Sequence, residues 1–390
     1  MSYKDVSIKL MNKYPAIVDL QNRCHRRIPD VARAYLETGT DDEICLKRNR
    51  KDFDKITFTP KFLKGSLRPD ITTELLGDEY DAPIGVAPVG LTGLMWPKAE
   101  IFMAEACRAF NIPMCLSTLA TETPEKVGPI LNGKGWFQLY TPKEKELAFQ
   151  LLDRARENGF NTLVITIDIP SPSRRQRTKR AGLVMPPKIT PGFIWQGITH
   201  PVWSYHTLKR GLPKLRTVEA YSDFKDMMSV GKFTHSQMGG NLSWDYVNDL
   251  KSEWEGPVIL KGILHPEDAI KAVEEGFNGI VVSNHGARQF DGAISSIEAL
   301  PAIAKVINGQ IPIILDSGIR SGLDVIKAIA LGADFVLLGR AFIYGVAALG
   351  KYGTHHTAQI IIEEIKNGMM QLGVETLDEI KTLQTEVSAW

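Results

Sequence analysis

Eight short runs rich in β-branched and aliphatic residues punctuate the chain, at 83–89, 112–118, 136–140, 162–168, 257–261, 279–284, 312–316 and 334–339. Most are continuous apolar strings without alternation, the pattern of parallel strands covered on both faces. Amphipathic segments lie between them, among them 97–110, 142–158, 266–275 and 323–331. Several open with Pro in the first turn and close at Gly159, Gly276 or Gly332, the ordinary start and stop signals of helices. Strand then helix, repeated eight times, is the count of an α/β chain folded as a (β/α)8 TIM barrel. An open doubly wound sheet is the alternative, but no Gly-x-Gly-x-x-Gly turn follows the first strand.

The predicted barrel occupies 81–350 within a single functional domain, 1–390. Residues 1–80 read as helices plus an extended strand or two that plug the barrel floor and reach its rim. Residues 351–390 read as a helical cap that includes a helix at 357–371. The fourth connection, 169–256, is far longer than its neighbours, and loops of that length inside a compact domain are usually functional or partly disordered.

Composition adds mostly exclusions. Of 390 residues, 44% are hydrophobic and 23% charged, so the chain is neither disordered nor a collagen or disulfide scaffold. Its length alone suggests about two or three domains, but α/β barrels run to about 250 residues as one unit. Cys24, Cys45, Cys107 and Cys115 have no Cys-x-x-Cys spacing and no paired His, so no metal site is expected and the thiols read as buried in a reducing compartment. The N-terminus MSYKDVSIKL has no signal-peptide core, and the apolar stretch 335–350 is broken by Arg340. A cytoplasmic protein without a transmembrane helix is the expectation.

The catalytic face of a barrel lies at the C-terminal ends of its strands. Reading off those ends yields polar residues on all eight strands: Gly90, Ser117, Thr118, Gln138, Tyr140, Thr166, Asp168, Lys261, Ser283, Asn284, His285, Arg288, Asp316, Gly339 and Arg340. His285 with Arg288 three residues on sets a base suited to neutral pH beside a fork suited to a carboxylate. The remaining histidines, such as His25, His206, His235, His265, His355 and His356, read as structural. The segments 316–322 and 338–340 carry Gly318, Gly339, Arg320 and Arg340 after strands seven and eight, where barrels often bind phosphate. On residue type alone Tyr35 reads as a core tyrosine, and Asp168 as a cap or a partner. Lys261 reads as a buried cation that needs an anion.

These residues resemble the FMN-dependent L-2-hydroxy acid oxidising enzymes over nearly the whole chain, from about residue 14 to 380. The most specific motif is Ser283-Asn284-His285-Gly286-x-Arg288-Gln289, supported by Phe137-Gln138-Leu139-Tyr140, Thr166-x-Asp168 and Leu260-Lys261-Gly262. Gly90-Leu91-Thr92-Gly93, Thr199-His200-Pro201 and 316–320 are most similar to the lactate and mandelate dehydrogenase branch. The resemblance implies FMN as cofactor. It implies that His285 takes the substrate proton, with Asp168 paired to it, and that Arg288 and Arg175 hold the carboxylate. Tyr35 and Tyr140 would hydrogen-bond the carboxylate and hydroxyl. Lys261 would stand by the flavin edge where negative charge collects on reduction. Pro88, Val89, Gly90, Ser117, Gln138, Thr166, Ser283 and Asp316 would surround the flavin, and Gly318, Arg320, Gly339 and Arg340 its phosphate. One departure bears on Arg175: Ser173 stands where the family usually has Gly, which leaves the register between Arg174 and Arg175 open.

The net charge of +1 hides an asymmetry. Residues 169–218 hold ten Lys or Arg and no Asp or Glu, while the other 340 residues hold 36 against 45. Phe193, Trp195, Trp203 and Tyr205 interleave with the basic residues. That mixture suits an anionic membrane surface. With the resemblance it implies peripheral attachment to the cytoplasmic face of the inner membrane, and a quinone as acceptor. A docking surface for an acidic redox protein is the alternative, and nucleic acid is not expected. The expected reaction is oxidation of a small 2-hydroxy acid, L-lactate foremost, with mandelate or glycolate as alternatives. An oxidase using dioxygen and a flavin-free phosphate-binding isomerase or aldolase also stay open. Gly90 stands where family oxidases tend to carry Ala, and Leu119 where glycolate oxidases carry Trp. The resemblance also implies a homotetramer.

Overall fold

The computed structural model describes residues 3–183, 190–221 and 242–388; Lys188 of the basic segment lies outside them. Eight parallel strands close into a barrel: β1 (Ile84–Val86), β2 (Met114–Ser117), β3 (Gly135–Tyr140), β4 (Phe160–Thr166), β5 (Val258–Ile263), β6 (Gly279–Val282), β7 (Ile313–Leu315) and β8 (Phe335–Leu338). Each pairs with its sequence neighbour, and β8 pairs with β1, Leu338 opposite Val86. This is the (β/α)8 barrel, with helices such as Ala99–Ala109, Lys145–Glu157 and Gly322–Ala330 packed outside.

Strand pleat explains where the barrel is greasy and where it is polar. Side chains two apart on a strand share a face. Cys115, Trp136, Val164, Ile259, Val281 and Ile314 meet inside the lower barrel in one apolar cluster with Phe335 and Leu337. Two residues further along each strand come Ser117, Gln138, Thr166, Lys261, Ser283 and Asp316, all buried. The same inward face thus changes from apolar floor to polar roof within one step of the pleat.

The hairpin Thr73–Leu75 and Asp78–Tyr80 adds Leu75 and Tyr80 to the floor cluster and closes that end. The helix Asp30–Glu37 carries Tyr35 to the opposite rim, where its hydroxyl donates to Gly90 O at 3.1 Å. The C-terminal cap is more than helical: Thr385–Val387 pairs antiparallel with Ile56–Phe58. Its long helix begins at Lys351, six residues before the expected start. Gly353 and Thr354 are poor helix formers, yet Gly353 allows close crossing with the helix Arg340–Leu349. A Cβ there would lie 1.8 Å from Gly345 O, so packing overrides propensity.

The insertion is built of helices Gln176–Arg180, Pro191–Thr199, Pro201–Arg210, Arg216–Glu219 and Trp244–Ser252. Trp203 is buried and its Nε1 donates to Leu94 O at 2.9 Å. Arg210 reaches the buried Glu122 at 2.6 and 2.9 Å. Lys214 pairs with Glu219 and Arg177 with Glu43. Part of the positive charge is therefore already neutralised within the fold. Facing outward are Ile194, Trp195, Ile198, Val202, Tyr205, Leu208 and Leu212, all exposed. All four cysteines are free and buried.

Candidate active site

At the polar end of the barrel opens a cavity of about 750 Å³. Tyr35, Pro88, Val89, Gly90, Gln138, Tyr140, Thr166, Arg175, Lys261, His285, Arg288, Asp316, Gly318, Arg320, Gly339 and Arg340 all line it. Ser117, Asp168 and Ser283 stand one hydrogen bond behind, holding Gln138, His285 and Lys261 respectively.

His285 sits at the centre. It follows β6 in a turn where His285, Gly286 and Ala287 have φ of 58°, 64° and 63°, a left-handed path that costs roughly 1–3 kcal/mol per non-glycine residue. Side chains hold it there. His285 N donates to Ser283 Oγ at 3.0 Å, Gly286 N to Ser317 Oγ at 2.9 Å and Ala287 N to Asn284 Oδ1 at 3.1 Å. Asn284 is itself locked by paired amide bonds with Asn49, at 2.8 and 2.6 Å. Asn49 and Ser317 were not singled out in the sequence. Asn49 lies 235 positions from its partner, on a helix of the N-terminal extension, where no local pattern marks it.

The imidazole is gripped at both nitrogens. Nδ1 lies 3.0 Å from Asp168 Oδ1, and Nε2 lies 3.2 Å from the Tyr140 hydroxyl. Enclosure works to raise the Asp168 carboxyl, but His285 and Lys261 outweigh it and hold it below the ordinary value of 3.8. An ionised Asp168 only accepts, so Nδ1 carries a hydrogen and Nε2 is the nitrogen turned to Tyr140. Burial pushes the Tyr140 hydroxyl up, so it stays protonated beside that nitrogen. Asp168 can stand here because β5 bulges at Gly262, whose φ is 114°. A Cβ on Gly262 would come within 2.6 Å of Asp168 Cβ.

Lys261 Nζ lies 2.6 Å from Asp316 Oδ2 and donates to Ser283 Oγ at 2.7 Å. Burial acts to lower this ammonium, but Asp316 and Asp168 prevail and keep it above 10.5. It is a fixed cation at the cavity wall. Four arginines share the cavity with it, Arg320 among them. Arg288 Nη1 donates to Tyr35 O at 2.9 Å and Thr38 O at 3.1 Å, and lies 4.9 Å over the Tyr35 ring. Burial, then Arg175, pushes Arg288 down to about 9, the mark of cations crowded together. Arg175 lines the cavity, while Arg174 is exposed. Arg340 donates to Leu36 O, Gly286 O and Thr38 O at 2.8, 3.1 and 3.0 Å. Of its five N–H groups two remain for a ligand.

The fit to flavin mononucleotide is good. Gln138 Nε2 donates to Thr166 Oγ1 at 2.9 Å and its Oε1 accepts from Ser117 at 2.9 Å, a rigid row of polar groups suited to a heterocycle edge. Gly339 precedes the helix Arg340–Leu349, whose free N–H groups, with Arg320, suit a phosphate. Lys261 meets the need for positive charge. An apolar part of the wall includes Met95, Leu119, Leu183 and Leu215, of which only Leu119 drew notice in the sequence. Among the described residues no cluster of metal-ligating side chains occurs.

Comparison with known proteins agrees with this geometry. A family model described as FMN-dependent dehydrogenase matches residues 24–386. The L-lactate dehydrogenase of Pseudomonas aeruginosa (strain LESB58) is 38% identical over 370 residues, 94% of this chain and 96% of that protein. That of Pectobacterium atrosepticum is 38% identical over 368 residues, 94% of this chain and 95% of that protein. Among solved structures, the monotopic membrane protein (S)-mandelate dehydrogenase matches with a TM-score of 0.90 at 32% identity, covering 96% of this chain and 99% of that one. Mandelate oxidase matches at 0.82 and 29%, covering 97% and 100%. Matched from residue 24 to 386, and with a cavity of about 750 Å³ at the polar end of its barrel, the chain belongs to the FMN-dependent dehydrogenase family.

Proposed function

We propose that this enzyme oxidises an L-2-hydroxy acid, L-lactate foremost, and passes the electrons to a quinone at a membrane surface. The observation that carries the first half is the imidazole of His285, held between Asp168 and Tyr140 inside a cavity that also holds Arg175 and Arg288. When bound, FMN supplies the two-electron oxidant. Arg175 and Arg288 take the substrate carboxylate, and Arg288 does so with its charge intact, because its own anchors are carbonyls. That places the hydroxyl near Tyr140 and the proton to be lost near His285 Nε2. His285 receives the proton from the α-carbon, or from the hydroxyl if hydride leaves the carbon. Asp168 stabilises the imidazolium that results. Lys261 would offset negative charge on the bound cofactor. Arg320, the two remaining Arg340 N–H groups, Gly318 and Gly339 would hold its phosphate.

L-Lactate added without air is expected to bleach the flavin absorbance of the purified yellow protein, whereas D-lactate leaves it unchanged. A panel of L-2-hydroxy acids ranks the substrates. The apolar wall of Leu119, Met95, Leu183 and Leu215 favours methyl or larger side chains over glycolate. Failure of every L-2-hydroxy acid to bleach the flavin overturns the reading.

For the second half, the support is the exposed apolar face of helices Pro191–Thr199 and Pro201–Arg210 within a basic segment. No helix among the described residues is long and apolar enough to cross a membrane; the contact proposed is peripheral, on the cytoplasmic face. Arg177, Arg210 and Lys214 already have carboxylate partners, so apolar burial carries more of the attachment than the raw count of charges suggests. The double substitution Trp195→Asp and Leu208→Asp is expected to weaken sedimentation with anionic vesicles by more than about 10-fold, since each buried side chain is worth roughly 1.5–3 kcal/mol. Neutralising Lys179, Arg180 and Lys209 has a smaller, salt-dependent effect. Absence of vesicle binding in the unsubstituted protein sinks the membrane proposal.

A further inference from the structure

The end of the helix Asp30–Glu37 works as a rack for arginines. Tyr35 O and Thr38 O hold Arg288, while Leu36 O and Thr38 O hold Arg340. These carbonyls belong to the set that a helix leaves unpaired at its C-terminus. Held by neutral dipoles, the arginines keep their charge for an anion. The chain then turns, and the turn grips the segment that carries Arg175. Asp41 N donates to Arg174 O at 3.2 Å, and Thr40 Oγ1 to the same oxygen at 3.3 Å. Arg175 follows directly. The stretch 35–41 therefore touches both Arg288 and the backbone next to Arg175, the two arginines assigned to the substrate carboxylate.

Glu43 closes this turn. Its φ of 61° is left-handed, uncommon for a residue with a side chain. One carboxylate oxygen accepts the Gly39 N–H at 3.1 Å, and the other meets the guanidinium of Arg177, two residues beyond Arg175 on the helix Gln176–Arg180. The Glu43 side chain is only 13% exposed. A surface ion pair by itself contributes little. Here, however, the carboxylate is enclosed and anchored to the backbone at the point where the arginine rack ends. Neither Glu43 nor Arg177 lines the cavity.

We propose that Glu43, through Arg177, is a positioning residue that fixes Arg175 against Arg288 and so sets the enzyme's affinity for the substrate carboxylate. This rests on the reading of Arg175 and Arg288 as that carboxylate's partners. The linkage makes the basic insertion part of substrate recognition as well as of surface attachment.

The test uses the FMN-loaded full chain and oxalate, a non-reacting dicarboxylate whose binding is read from the flavin absorbance without turnover. Glu43→Gln keeps an acceptor for Gly39 N–H and removes the charge; Arg177→Met keeps most of the stem and removes the donors. Each is expected to weaken oxalate binding and raise KM about 10-fold, short of the ~100-fold that a misplacement of about 1 Å can cause. kcat, bound flavin and melting temperature stay at their unsubstituted values, a split that a merely structural role does not produce. The double variant binds oxalate no more weakly than either single one, because both break the same link. Unchanged oxalate affinity in either single variant, additive losses in the double, or loss of flavin in step with affinity overturns the proposal. If the unsubstituted enzyme binds no oxalate and oxidises no 2-hydroxy acid, the underlying reading falls as well. With binding present there, the variants alone decide.

Discussion

Replacing His285 by Gln is expected to leave FMN bound and to slow flavin reduction by L-lactate about 10⁴-fold, the upper end of what a positioned general base contributes. The substitution suits the site because a carboxamide can still donate to Asp168, whose Oδ1 now accepts from Nδ1 at 3.0 Å. It cannot take a proton. Anaerobic mixing with L-lactate measures the rate, and the flavin-to-protein ratio shows whether the cofactor remains. Reduction at the unsubstituted rate would overturn the assignment of the base. Loss of flavin would place His285 among the groups holding the cofactor. The side effect to watch is on Asp168, whose Oδ2 is buried without a hydrogen-bond partner. His285 is a main reason why this carboxyl stays below its ordinary value, so losing the imidazole charge raises it.

Lys261→Met produces the largest expected loss of stability. Lys261 and Asp316 pair at 2.6 Å with only 4% and 8% of their side chains exposed. Removing one partner of such a buried pair costs roughly 3–5 kcal/mol, because the other charge is left without compensation. Asp316 keeps only a bond from Ser317 Oγ at 2.8 Å. Denaturant unfolding measures the loss, and flavin release is expected alongside it. The double substitution Lys261→Met with Asp316→Leu recovers much of the stability but not the cofactor, since apolar replacement of both partners is often neutral. If both variants lose stability equally, the pair is not the cause.

The same groups set the pH window. Lys261 is raised above 10.5, so its stabilising contribution is complete below the usual lysine range and fades as pH rises through the higher folded value. Asp168 is lowered below 3.8, so its contribution is complete above the usual carboxylate range and fades as pH falls through the lower folded value. Between these limits both terms are constant.

Much of this site could be read in sequence because a barrel sends its strand ends to one place. Once eight apolar runs were counted, Lys261, Asp316, Gln138 and Thr166 could be assigned to one rim without knowing any distance. Tyr35 was harder, since it lies on a helix outside the repeat and only its family resemblance marked it. Asn49 and Glu43 carried no mark at all. Each acts on a partner more than a hundred positions away, and neither spacing nor composition encodes such a pairing. The positive charge of the insertion was read correctly as a count. Its distribution was not, because Glu43, Glu122 and Glu219 supply partners from outside or beyond the counted stretch.

Periodicity and the strand-end rule are local: they follow from backbone geometry and from which side chains tolerate burial, so the sequence determined the barrel, its rim residues and the basic insertion. Which of those residues touch is a matter of closure. Joining β8 to β1, bulging β5 at Gly262 and laying the end of the helix Asp30–Glu37 across the rim bring distant side chains to within 3 Å of one another. Only that tertiary step decided the contacts of His285 with Asp168 and Tyr140, the burial of the Lys261–Asp316 pair and the placing of Arg175, rather than Arg174, in the cavity wall. Each depends on hydrogen bonds between segments whose separation in sequence says nothing about their distance in space.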